Sequence, residues 1–292
     1  MEIDKSFITR DGVKIGYRGP QQVDPERPSV LLIHGLASNL TRWSEFVEHT
    51  RLHQGYNIFR IDLRGRQRSI HHGIITRKKW VADIIELMDR EAVTRFIFIG
   101  HSLGAQVAQA FACKHPQRTQ GLVFIDPVYA DNLHGALATV KRFKWLGWLV
   151  LWVILFFTKL GLHRKTYTVR DMHQLDLKTR ATLEANPDLT IADLYMSPKA
   201  DLEYIPISSY LQDLLSVTQS TCPARNIQAP VRVLLSAGAS VSSYDKNLAI
   251  IHSYPDNGTT EIEADHWLLT ERPHEAREAL EAFVDDIAAR TK

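Results

Sequence analysis

Phe96-Ile97-Phe98-Ile99-Gly100-His101-Ser102-Leu103-Gly104 runs directly into Ala105-Gln106-Val107-Ala108-Gln109-Ala110-Phe111, and the pattern changes between the two halves. The first four residues are a continuous apolar run, the signature of a short strand buried on both faces. From Ala105 to Lys114 the apolar positions recur at helical spacing instead. A Gly-x-Ser-x-Gly segment therefore sits on a strand-to-helix turn. Such a turn holds a serine hydroxyl away from the backbone, and glycines two residues to either side leave room for it. The following helix start supplies partial positive charge to an oxyanion forming at that serine. Ser102 is the candidate nucleophile.

Working outward, the same apolar runs recur at 29–33, 56–61, 121–125, 231–236 and 259–263, and amphipathic stretches separate most of them. One such stretch is 80–90, where Val81, Ile84, Ile85 and Met88 share a face opposite Asp83, Glu86 and Asp89. Alternation of strand and helix predicts an α/β fold with a mostly parallel, doubly wound sheet of about eight strands. Two strands at 5–10 and 13–18, joined through Asp11-Gly12, predict an antiparallel edge. A final helix over 273–289 opens with a proline suited to the first turn. The beat stops at 128–229, where three helical-looking pieces replace it. The expected organisation is a core in two parts, 1–127 and 230–292, with a helical cap between them.

Here the chain resembles the α/β-hydrolase superfamily, in the branch of cap-bearing serine hydrolases related to carboxylesterases and lipases. His34-Gly35 after the third strand, Asp62-Leu63-Arg64-Gly65, Gly100 to Gly104, the segment Leu122 to Pro127, and Asp265-His266-Trp267 carry the resemblance. Gln67 departs from it, standing where the family has glycine. The resemblance implies an oxyanion hole made by the backbone N–H groups of Leu36 and Leu103. It also places Trp43 beside the oxyanion loop, and His34, Trp43, His101 and Trp267 are the candidate substrate-binding residues.

A serine hydroxyl needs a base within hydrogen-bond reach, and imidazole has the suitable pKa. Of thirteen histidines, His266 lies between the last strand and the last helix, where the family's base resides. The base in turn needs a carboxylate to orient it and stabilise its cation. The loop after 231–236 reads Gly238-Ala239-Ser240-Val241, with no carboxylate before Asp245. Asp126, at the end of the strand following the nucleophile, is the expected acid, with Asp245 as the alternative. Asp265 neighbours the base in sequence and is a poor candidate.

The run 145–157 is apolar nearly all round, with Lys141, Arg142 and Lys144 before it and Lys159, Arg164 and Lys165 after it. It is short for a membrane span, and a crossing would part Ser102 from His266. It reads either as an interfacial helix giving peripheral membrane or detergent association, or as a buried cap helix lining an acyl pocket.

Bulk properties narrow the field. The formal net charge is +2 with no long basic block, which argues against nucleic acid as a partner. Cys113 and Cys222 have neither metal-ligand spacing nor the framework of a small secreted domain, and neither is expected to do chemistry. Together with a polar N-terminus lacking the layout of a secretory signal, they suggest a cytoplasmic protein, peripheral at most. The acceptor patterns at Asn39 and Asn257 then carry no weight. No internal repeat or low-complexity tract is present, and no metal or cofactor is implied. The expected activity is hydrolysis of hydrophobic, lipid-like or aromatic carboxylic esters through an acyl-enzyme. Alternatives on the same fold are a cofactor-independent dioxygenase, a carbon–carbon bond hydrolase, and a non-catalytic ligand-binding protein.

Overall fold

The structure is a computed structural model that describes residues 2–290 except Pro187, Met196 and Ala239 to Val241. Eight strands form one sheet in the order β1-β2-β4-β3-β5-β6-β7-β8. They are β1 (Glu2–Ile8), β2 (Lys14–Pro20), β3 (Ser29–Ile33), β4 (Asn57–Ile61), β5 (Phe96–His101), β6 (Thr119–Ile125), β7 (Val231–Ser236) and β8 (Asn257–Ile262). β1 and β2 form the antiparallel edge and β2 meets β4 antiparallel; the remaining pairings are parallel. The mostly parallel sheet matches the expected fold class, though the first hairpin is offset by a few residues from its sequence reading.

Alternate side chains of the central strands feed two cores, as a sheet covered on both faces requires. Phe96 and Phe98 join Phe111 and Trp80 on one face, while Ile97 and Ile99 join Trp43, Leu280 and Val284 on the other. The covering helices include α1 (Ser44–His49), α2 (Arg77–Arg90) and α3 (Leu103–Lys114). On α2, the Thr76 side chain accepts from the Lys79 N–H at the helix start, satisfying an amide with no intrahelical partner.

Between β6 and β7 the described residues form no strand of the sheet, and their α-helices are α4 (Gly135–Arg142), α5 (Lys144–Lys159), α6 (Met172–Ala185), α7 (Ile191–Tyr195), α8 (Pro198–Asp201) and α9 (Ile207–Val217). Six helices stand where three pieces were expected. The difference comes from local caps: Asp171 caps α6, and Ser197 with Pro198 opens the four-residue α8. The core resumes after β7 with α10 (Tyr244–Ile251), α11 (Leu268–Glu271) and α12 (Pro273–Arg290). Among the described residues no helix is long and apolar enough to cross a membrane.

Cys113 on α3 and Cys222 on the connection into β7 are joined as a disulfide, with Cα atoms 6.5 Å apart. A separation of 109 residues hid this pairing in the sequence. Asn39 is buried, its amide donating to the Arg170 carbonyl at 2.8 Å, so it has no room for a glycan.

Candidate active site

Ser102 lies between β5 and α3 with φ 53° and ψ −112°, a backbone that L-residues seldom adopt. Its neighbours explain how this is tolerated. A Cβ on Gly100 would lie 2.5 Å from the Gly104 carbonyl carbon, and one on Gly104 would lie 2.3 Å from the Ile33 oxygen. Only glycine lets α3 start this close to β3. The turn is pinned by the Ser102 N–H, which donates to the Ile125 carbonyl at 3.0 Å.

Parallel register then places the candidate acid. His101 pairs with Ile125 and Ile125 with Leu234, so Asp126 emerges one strand away from Ser102. Its backbone also has positive φ, 39°, and its N–H donates to the Leu234 carbonyl at 2.8 Å. Asp126 Oδ1 accepts from the Ser236 hydroxyl at 2.9 Å, which leaves Oδ2 aimed at the loop after β8. There His266 Nδ1 donates to Asp126 Oδ2. On the opposite side of the ring, His266 Nε2 accepts from Ser102 Oγ at 3.0 Å. The carboxylate fixes the tautomer, since Nδ1 must carry the proton and Nε2 the free lone pair. All three side chains are buried, so these hydrogen bonds are little weakened by water.

The structure therefore brings Ser102, His266 and Asp126 together. Asp245, the alternative acid, lies exposed in the first turn of α10, whereas His266 Nδ1 is engaged by Asp126. Asp265 turns away from the base, its Oδ1 packing where a Cβ on Gly238 would stand. Of the loop Gly238 to Val241, the last three residues lie outside the described residues.

The candidate substrate-binding residues separate into different roles. His101 Nε2 donates to the His266 carbonyl at 3.0 Å, and so anchors the loop that carries the base. Burial, then repulsion from the His266 ring, pushes its pKa down to about 3, so it is neutral and suited to this task. His34 spends both ring nitrogens, Nδ1 donating to the Gly35 carbonyl at 2.9 Å and Nε2 accepting from the Leu63 N–H at 3.1 Å. Desolvation takes its pKa to about 3 as well. His34 thus ties the oxyanion-loop candidate to the turn Asp62 to Gly65.

Trp43 is wholly buried, edge-on to Phe46 in the core beneath the sheet. It has no face open to a substrate here, because the helical turn that carries it points the indole inward. Trp267 is half-buried, its ring 5.6 Å from the His266 ring and 5.7 Å from Tyr195 of α7. Leu36 is half-buried on the core and Leu103 opens α3. A Cβ on Gly35 would lie 3.4 Å from Ser102 Cβ, so the backbone before Leu36 passes against Ser102.

Sequence reasoning missed Arg42. Its buried guanidinium donates to Asp176 of α6, to Thr270 Oγ1 at 2.8 Å and to Tyr195 Oη at 3.3 Å. Thr270 follows His266 on α11, so one cation joins the core, the base loop and the helical insertion. The available signal was an arginine between Leu40 and Trp43, and nothing in the sequence named its partner 134 residues away.

Comparison with known proteins agrees with the fold. The sequence profile of the serine aminopeptidase, S33 family matches residues 24–252. A probable alcohol acetyltransferase of Saccharomyces cerevisiae is 24% identical over 98% of this chain and 84% of its own length. Epoxide hydrolase B of Mycobacterium tuberculosis is 30% identical over a shorter segment, 41% of this chain and 35% of its own. Among solved structures, a hydrolase from Pseudomonas aeruginosa PA01 superposes with a TM-score of 0.70 at 20% identity, covering 96% of this chain and 98% of that one. With a profile match over most of its length and a sheet order to go with it, the chain belongs to the serine aminopeptidase S33 family of α/β-hydrolases.

Proposed function

We propose that the protein cleaves carboxylic esters of hydrophobic acids through an acyl-enzyme on Ser102. The observation that carries this reading is the Ser102 Oγ to His266 Nε2 hydrogen bond of 3.0 Å, backed by Asp126 on the far side of the ring. In the first half-reaction Ser102 Oγ attacks the ester carbonyl carbon while its proton passes to His266 Nε2. The carbonyl electrons move onto oxygen, and the N–H groups of Leu36 and Leu103 receive the oxyanion. Asp126 stabilises the imidazolium without taking its proton. Collapse of the intermediate breaks the bond to the alcohol, which leaves with the proton from Nε2. Water then repeats the sequence on the acyl-enzyme, releasing the acid and restoring Ser102.

The similarity to a probable alcohol acetyltransferase over nearly the whole chain favours a second reading of the same intermediate, in which an alcohol takes the place of water. Both readings share the first half-reaction and differ in the acceptor.

Turnover of p-nitrophenyl esters from acetate to palmitate tests the proposal. Ser102→Ala and Asp126→Asn are each expected to lower kcat by roughly 10³-fold or more, and Asp245→Asn to leave it unchanged. An amino-acyl p-nitroanilide run alongside separates ester from peptide-type substrates. Adding a primary alcohol separates transfer from hydrolysis, since a transferase makes the new ester at the expense of free acid. No ester turned over by the natural chain would refute the proposal.

A further inference from the structure

Helix α5 presents to solvent what a core would bury. Leu151 is its one buried residue. Gly147 packs close to Leu215 of α9, where a Cβ would stand 2.9 Å from Leu215 Cδ2. The inward stripe is therefore narrow. Of the large apolar side chains exposed among the described residues, twelve of twenty fall between Phe143 and Leu162. Trp145, Trp152, Phe156 and Leu160 are each 60% exposed or more.

Three features identify the occupant. First, these side chains diverge: the exposed positions include Trp148, Leu149 and Val150 in succession and then Trp152 and Val153, wrapping well over half the helix circumference. A rigid protein partner would need a deep groove to reach them all, whereas a fluid apolar medium reaches them without one. Second, the segment from Asn132 to Arg170 contains seven lysines and arginines and no aspartate or glutamate. Lys144 and Lys159 mark the two ends of α5 and are exposed. Tryptophans on the apolar face with cations at the margins are the composition of a helix lying in the headgroup layer. Third, a cavity of about 300 Å³ opens beside the same face, walled by Val153, Phe157 and Leu162 and rimmed by His163 and Arg164. At 16 residues the helix is roughly 24 Å long, short of the ~30 Å hydrocarbon thickness, so it lies on the surface and does not span.

We propose that α5 docks the protein on an anionic phospholipid surface, with the helix parallel to the membrane plane and the basic residues at its ends among the headgroups. This is independent of the hydrolase reading and stands on different residues. The insertion joins β6 to β7; Asp126 directly follows β6 and Ser236 ends β7.

Sedimentation of the full chain with sucrose-loaded vesicles tests the proposal, comparing phosphatidylcholine alone with phosphatidylcholine containing phosphatidylglycerol. Binding to the anionic vesicles is expected, weakening as salt is raised. The triple variant Trp145→Ser, Trp152→Ser, Phe156→Ser is expected to lose roughly tenfold or more in partitioning. Lys144→Glu with Lys159→Glu should erase the preference for phosphatidylglycerol. Both variants should melt like the natural chain and turn over p-nitrophenyl acetate at whatever rate it shows, so a failure of docking and a failure of the esterase proposal are read separately. The absence of sedimentation with either vesicle, or sedimentation unchanged in the triple variant, overturns the proposal. Equal binding to both vesicle types overturns the anionic assignment. A dimer in light scattering that the triple variant dissolves, without vesicle binding, assigns the face to a second copy instead.

Discussion

Strand β5 and helix α5 are both strongly apolar, yet all six residues of β5 are buried and fifteen of the sixteen in α5 are not. The difference lies in what surrounds each run. β5 is flanked by neighbours on both edges, and its alternate side chains enter two separate cores. α5 has α4 and α9 beside it and little else. Hydrophobicity along the chain therefore says that a segment avoids water, and topology says where it can go. In the core that destination is the rest of the protein. In the insertion, on the docking proposed above, most of it is something outside.

Perturbing the densest point of the core sharpens this contrast most. Gly104→Ala drives a methyl toward the Ile33 oxygen, at 2.3 Å before relaxation, and should destabilise by roughly 4 kcal/mol or more, seen as a large fall in Tm. Next comes the join between the two regions. Arg42→Ala strips the buried Asp176 of its cation, and removing one partner of a buried pair typically costs about 3 kcal/mol or more. If the insertion relied on α5 for its stability, Arg42→Ala would have little effect and the comparison would break.

A smaller effect comes from protons. His101 is held neutral, with its pKa down at about 3, whereas in the unfolded chain it takes a proton near pH 6.5. Between those values the unfolded state binds more protons, so this contribution is intact above pH 6.5 and is lost as pH falls toward 3. Asp62 and Asp83, raised by burial to about 6, act oppositely below pH 6 and mask the term in the natural chain. His101→Gln, which keeps an N–H for the His266 carbonyl, should therefore lose about 1.4 kcal/mol less per pH unit on acidification. Paired denaturant melts at pH 7 and pH 5 measure it. Smallest of all, Trp152→Ala on the outer face of α5 should shift stability by less than about 0.5 kcal/mol. A loss of several kcal/mol there would mean that the face is packed in solution.

What could be read from sequence follows from how local the cause is. The turn that carries Ser102 is legible because strand, glycines and helix lie within twenty residues, and the place of Asp126 because a strand end states its own position. The empty place before Asp245 sharpened that inference. Trp43 was misplaced, since neighbourhood to a loop does not tell which way an indole points. The Cys113–Cys222 link and the Arg42 network were illegible because their partners lie more than a hundred residues away. The short helices α7 and α8 depend on single caps that periodicity does not detect.

The placement of the insertion also sets a clock. Asp126 and His266 are 140 residues apart, with all six helices of the insertion between them. At a synthesis rate of about 5–20 residues per second, a nascent chain carries Ser102 and Asp126 for roughly seven to thirty seconds before His266 has been made. α5 is finished at Lys159, part-way through that interval, and for the rest of it Ser102 still lacks its His266 partner. On the proposed roles, each molecule meets the surface to which it binds before it is able to react there.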